Sequence, residues 1–199
     1  MNDFPMETHP FAPVLPPRAR VLMMGTFPPA AAKRCMAFHY PNFQNDMWRI
    51  YGLVFFNDAG HFQVAGEKRF DAGKIRDFLM AHNIALCPTV RRAVRERGNA
   101  SDKFLRIVEP VDLGAVLAQL PDCRWLFTTG GKATETLLSL LEPAPPMPPV
   151  NQAVAFDYHG RHLQLCRLPS SSRAYPLTLA AKAAAYRAFF ERSGVLPLS

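Results

Sequence analysis

Six short stretches of this 199-residue chain hold the side chains whose types and spacing could do chemistry. Gly25-Thr26-Phe27-Pro28-Pro29 sets a glycine, where backbone and ligand can approach closely, in a loop stiffened by prolines. The aromatic cluster Phe38-His39-Tyr40 follows, able to serve the same ligand or simply to fill a core. Pro41-Asn42-Phe43-Gln44-Asn45-Asp46-Met47-Trp48 brings amides and one carboxylate to a predicted helix start. Asn45 or Asp46 there either caps the helix or holds a water molecule. Leu168-Pro169-Ser170-Ser171-Ser172-Arg173-Ala174-Tyr175 places three hydroxyls beside an arginine. That set suits hydrogen bonds to phosphate oxygens, with Tyr175 able to stack, or else a solvated turn. No His or Asp stands at a spacing that would make these serines nucleophiles. Arg91, Arg92, Arg95 and Arg97, with Lys103, make the densest basic run. Thr129-Gly130-Gly131-Lys132 offers backbone donors to an anion at a helix start, without completing a nucleotide-binding P-loop.

The elements that must position these stretches alternate between strand and helix. Arg20–Met24, Ile84–Cys87 and Trp125–Phe127 are short apolar runs and read as buried strands. Ala153–Tyr158 and Arg161–Leu168 read as two further strands around a His159-Gly160 turn. Helices are expected from near Asn45, from Asp71, from Asp112 to Leu120, from Gly130-Gly131 to about Leu141, and from Thr178 to Gly194. Residues 1–18, with five prolines, read as an extended N-terminal arm, and 19–199 as one domain with a proline-rich surface loop at 143–149. Such alternation predicts right-handed parallel crossovers and a three-layer α/β/α sandwich around a central, mostly parallel four-stranded sheet. Ligands of such sheets bind outside the carboxyl ends of the strands, which is where the loops 25–45, 88–103, 128–132 and 169–176 fall.

Composition narrows the class. With 49% hydrophobic and 20% charged residues the chain is globular in type, which excludes a disordered or coiled-coil protein. No apolar run is long enough to span a membrane, and the N-terminus lacks the basic start and apolar core of a secretion signal, so a cytoplasmic protein is expected. A net charge of +7 points towards a polyanionic partner. Cys35, Cys87, Cys123 and Cys166 are dispersed without metal-ligand spacing, so reduced core thiols, no metal and no cofactor are expected.

Taken in order, the motifs resemble those of the uracil-DNA glycosylase superfamily, and within it the hypoxanthine- and mismatch-uracil glycosylases. Gly25-Thr26-Phe27-Pro28 is similar to the family's Gly-x-x-Pro first-strand motif, and Pro41…Asn45-Asp46-Met47-Trp48 to its Pro…Asn-x-aromatic-Trp segment. An Ile-Ala-Leu strand, Ala100-Ser101-Asp102, residues 108–113 and residues 128–133 follow in order. Leu168 to Tyr175 resembles the closing Leu-Pro-Ser-x-Ser-x-Ala-Asn form, so the likeness runs from about residue 20 to 190. Thr26 stands where many members carry a water-activating Asp or Asn, the last motif lacks the histidine of some branches, and two extra residues separate Pro41 from Asn45.

The resemblance implies a monofunctional enzyme that flips a deaminated base, uracil or hypoxanthine, out of DNA and hydrolyses its glycosidic bond. Carried over motif by motif, Asn45 would position the water, with Asp46 and Asn42 as rivals. Phe38 would stack on the base, beside His39 and Tyr40. The Gly25, Thr26, Phe27 and Pro28 loop would read the base's edge together with Cys87 and Thr89. Arg91, Arg92, Lys132, Ser170, Ser171, Ser172, Arg173 and Tyr175 would grip the DNA. A monomer is expected. Two other readings stand beside it: a non-catalytic damaged-DNA or single-strand-binding module on the same fold, and a hydrolase of free nucleosides or nucleotides.

Overall fold

The computed structural model of the chain describes residues 4–96 and 104–198. Arg97, Lys103 and the Ala100-Ser101-Asp102 motif therefore lie outside the described residues. Among the described residues two sheets are formed. The central one runs in the order β3-β2-β6-β8-β7, from β2 (Val21–Met24), β3 (Ile84–Leu86), β6 (Trp125–Thr129), β7 (Ala153–Tyr158) and β8 (Arg161–Leu168). Its first four members are parallel, and β7 pairs antiparallel with β8. The sheet thus has five strands where four were expected. The hairpin accounts for the difference: His159 and Gly160 both take positive φ (48° and 76°), the conformation a two-residue turn needs to fold β7 back beside β8.

Alternation along β2 makes the layers. Val21 and Met23 enter one core with α1 (Met47–Phe56), α2 (Ala72–Ala81) and α5 (Leu179–Arg192). Leu22 and Met24 enter the other with α3 (Leu113–Ala118) and α4 (Gly131–Leu138). Both faces of the sheet are covered, as a parallel sheet requires. The helix starts follow local chemistry: Asp71, Asp112 and Thr178 accept from the backbone N–H groups of Lys74, Ala115 and Ala181. The α3 and α4 helices stop short of the expected Leu120 and Leu141.

A second, antiparallel sheet in the order β1-β4-β5 has no counterpart among the expected elements. It comprises β1 (Met6–Thr8), β4 (Val90–Arg95) and β5 (Leu105–Pro110). Two irregularities in the β4–β5 register break the period-2 pattern, so Val90-Arg91-Arg92-Ala93-Val94-Arg95 reads as a basic run and not as a strand. Val90, Ala93 and Leu105 of this sheet pack against Phe27. Residues 4–18, expected as an extended arm, are stitched to the domain: Met6, Glu7 and Thr8 pair with Val94, Ala93 and Arg92, and Val14 exchanges two backbone hydrogen bonds with Leu86. Among the described residues no helix is long and apolar enough to cross a membrane.

Candidate functional site

The loops that leave the carboxyl ends of β2, β3, β6 and β8 meet around a cavity of about 500 Å³. The first loop enters through Gly25, whose carbonyl accepts from both the backbone N–H (2.8 Å) and the hydroxyl (2.9 Å) of Thr89. Thr89 is fully buried, so it fixes the loop from behind. A Cβ at position 25 would collide with the Tyr40 hydroxyl, so a larger residue there would have to displace the Tyr40 ring. Tyr40 itself holds φ of 52° and shares a 2.9 Å hydrogen bond with the hydroxyl of Thr129 at the end of β6. A tyrosine in the left-handed region is strained, and here the strain is held at the cavity wall.

Asn45 borders the cavity just before α1. Its Oδ1 accepts from the Met47 N–H at 2.9 Å. Since Met47 can only donate there, the amide orientation is set: one Oδ1 lone pair is spent on the helix and the NH₂ group lies on the opposite side. Asn42 also lines the cavity, its Oδ1 accepting from the Gln44 N–H at 2.9 Å. Both amides keep capacity to orient a water molecule or a ligand edge.

Asp46, the other candidate for the water, is differently placed. Its Oδ2 lies 2.9 Å from the Lys182 ammonium of α5, and Lys182 is fully buried. Lys182 also donates to the Ser172 carbonyl at 2.8 Å, and the Asp46 N–H donates to the Ser171 carbonyl at 2.9 Å. Asp46 thus joins α1, α5 and the serine loop and takes no part in the cavity wall. A carboxylate committed to a buried ammonium is a poor partner for water.

The structure brings Gly25, Thr26, Phe27, Pro28, His39, Tyr40, Asn45, Ser170, Ser171 and Ser172 together around the cavity. It leaves others out. Phe38 is 1% exposed, packed in the core beside Trp48 at 6.0 Å between ring centroids, so it has no face to offer a base from this position. Cys87 is buried among Leu22, Ala85 and the α3 side chains, its thiol pushed up to about 12 by burial, and the strand end reaches the cavity through Leu86 and Pro88. Arg91 and Arg92 lie on the second sheet, 3.3 and 3.6 Å from the Glu109 carboxylate. Arg173 is largely exposed, 3.8 Å from Asp46. Lys132 in the first turn of α4 and Tyr175, whose N–H donates to the Ser172 carbonyl, stand outside the wall.

Two lining residues come from the N-terminal segment and were not among the candidates: His9 and Phe11. His9 stacks on His39 with centroids 5.4 Å apart and meets Phe27 edge-on at 5.4 Å, while Phe11 meets His39 at 5.7 Å. The one available signal was an imidazole and an aromatic ring among prolines, in a segment with no other apolar pattern. His39 donates from Nε2 to the Ala12 carbonyl at 2.9 Å. Burial holds both imidazoles at a pKa of about 4, helped at His9 by the neighbouring His39. Both are neutral in ordinary buffers. Among the described residues no Asp, Glu, Lys or Arg lines the cavity, so that wall is uncharged at neutral pH. Nor do three His, Cys, Asp or Glu among the described residues gather where a metal ion could bind.

No protein-family model matches the chain, and no curated protein matches it. Solved structures do. One is the solution NMR structure of a "putative Uracil DNA glycosylase" from Methanosarcina acetivorans, which superposes with a TM-score of 0.65 at 20% sequence identity. The match covers 95% of this chain and 99% of that one, so the two share their fold from end to end.

Proposed function

We propose that the protein is a monofunctional DNA glycosylase, with uracil its first candidate substrate and hypoxanthine the second. The observation that carries this reading is the uncharged cavity at the carboxyl ends of the parallel strands. A phosphate or a charged substrate would call for cations inside it, whereas a neutral planar heterocycle asks for what is there: aromatic faces, amides, hydroxyls and backbone groups. The basic residues lie outside the wall, where phosphates of a DNA strand would run. Likeness of fold to a protein described as a uracil DNA glycosylase points the same way.

Extrusion of a nucleotide costs roughly a few kcal/mol, which basic loops and the hydroxyls of Ser170–Ser172 would offset through the flanking phosphates. Cleavage of the C1′–N bond builds positive charge on the sugar, as in other glycoside hydrolysis. The bonding electrons leave with the base, which is stabilised as an anion by backbone and hydroxyl donors of the wall. Water then bonds to C1′ and sheds its proton to solvent. A transition state this dissociative asks little of the water's partner, so the remaining lone pair of the Asn45 amide suffices where no carboxylate is present. An alternative is a non-catalytic DNA-binding module on the same fold, favoured by the bond from Met47 that gives Asn45 a structural task.

The test is Asn45→Ala. Cleavage of uracil-containing DNA should be lost while duplex binding stays within a few-fold, and loss of the hydrogen bond from the Met47 N–H should cost about 1 kcal/mol of stability. Cleavage at the wild-type rate would move the water to Asn42.

A further inference from the structure

Both flanks of His9 and Phe11 are fastened, so these rings are held at the cavity and do not drift past it. On the N-terminal side, β1 is paired in register with β4, and the His9 N–H donates to the Arg91 carbonyl at 2.8 Å. Glu7 meets the Arg95 guanidinium at 2.9 Å, and the same guanidinium, itself buried, donates to the Pro28 carbonyl at 2.7 Å. Arg95 thereby ties this segment to the loop that follows β2. On the other side, the Ala12 carbonyl accepts from His39, and Val14 is bridged to Leu86. Between these ties the His9 Nδ1 hydrogen-bonds the Phe11 backbone, which fixes one ring relative to the other. So many ties on so short a segment are what a wall needs and a loose tail does not.

From this geometry we infer that His9 and Phe11 of the N-terminal segment are specificity-determining residues of the cavity, contacting the extruded base through their ring faces and edges. The inference rests on the glycosylase reading of the same site. It supplies the aromatic contact that Phe38, enclosed in the core, cannot make. It also accounts for a stacked histidine pair at the cavity, His9 half-buried and His39 buried: neutral imidazoles add flat surface without repelling or attracting a phosphate. Phe27, flanked by His9 on one side and the Arg95 guanidinium on another, completes the same wall.

The experiment compares two DNA ligands for the full chain and its His9→Ala, Phe11→Ala and His9→Phe variants. One is a duplex with uracil at a single position, and the other carries a tetrahydrofuran abasic-site analogue there. A stacked base is worth enough that His9→Ala and Phe11→Ala should each lower kcat/KM on the uracil duplex on the order of tenfold. Affinity for the abasic duplex, which has no base to contact, should stay within twofold. His9→Phe, which keeps a ring, should recover most of the loss. Unchanged kcat/KM, or equal losses on both duplexes, would overturn the inference, the second outcome marking a general role in folding. Should the wild type release no base at all, the glycosylase reading fails, and the inference is read from binding alone. The wild type must then prefer the uracil duplex over the abasic one and the alanine variants must lose that preference; equal preference in both overturns it.

Discussion

At the scale of single residues, the site is a set of groups each held by a neighbour that performs no chemistry. Thr89 fixes Gly25, Thr129 fixes Tyr40, Met47 orients Asn45, and Ala12 orients His39. The half-buried His9 and the buried His39 make this legible in solution. Each has its folded pKa lowered to about 4 from an ordinary value of 6.5. The unfolded chain therefore takes up these protons first as the pH falls, and it binds more protons than the folded chain across that window. Stability tied to the neutral pair is fully present above about pH 6.5 and is lost towards about pH 4, at roughly 1.4 kcal/mol per pH unit for each imidazole. Urea midpoints should fall between about pH 7 and about pH 5, and His39→Gln should flatten the fall. A midpoint equally pH-dependent in that variant would place the effect elsewhere. At this scale the sequence offered many of the lining residues as candidates, but not His9 or Phe11 and not the neighbours that hold each group. Asn45 stands in a motif, and so does Phe38; that one borders a cavity and the other fills a core depends on packing that no local spacing encodes.

At the scale of elements, the joint between α1, α5 and the serine loop is the most demanding feature. Asp46 and Lys182 are both buried and stand 136 residues apart in sequence. Removing Lys182 leaves Asp46 buried with only the exposed Arg173 guanidinium, 3.8 Å away, as countercharge, so Lys182→Met should cost roughly 3–5 kcal/mol. Removing both, as Asp46→Leu with Lys182→Met, should cost clearly less than the sum of the single changes. Chemical denaturation reads both, and additive losses would show that the two charges do not depend on each other. Because Ser171 and Ser172 hang on the same joint, the single variant should also loosen the serine side of the cavity. Elements with local signals were legible: the caps at Asp71, Asp112 and Thr178, the apolar strands, and the hairpin at His159-Gly160. Elements built from distant partners were not. The β1 strand is three residues long and β4 carries three arginines on an irregular register, so neither repeats a pattern long enough to read. A pair such as Asp46–Lys182 leaves no mark in the spacing of either segment.

At the scale of the whole molecule, charge and cavity are separated. The chain carries a net charge of +7, yet no charged side chain of the described residues lines the cavity. DNA binding should therefore weaken steeply with salt, and base recognition should not. Arg91 and Arg92 test the first half, since their side chains are 65% and 40% exposed yet lie near Glu109. Replacing both by Ala should reduce the slope of log affinity against log salt by about 1 for each phosphate that the two guanidinium groups neutralise. An unchanged slope would make them partners of Glu109 alone. The placement of the loops at the carboxyl edge of a parallel sheet followed from strand–helix alternation, whereas the closing of the cavity by the N-terminal segment followed from nothing local. The measurement that bears most directly on the whole account uses labelled oligonucleotides with uracil, hypoxanthine or xanthine at one position, single-stranded or opposite each normal base. Alkali after incubation without added metal reveals any abasic site. The account predicts alkali-labile sites at uracil or hypoxanthine and none in DNA with normal bases only. No release from any of these substrates, together with salt-sensitive binding to them, would contradict it.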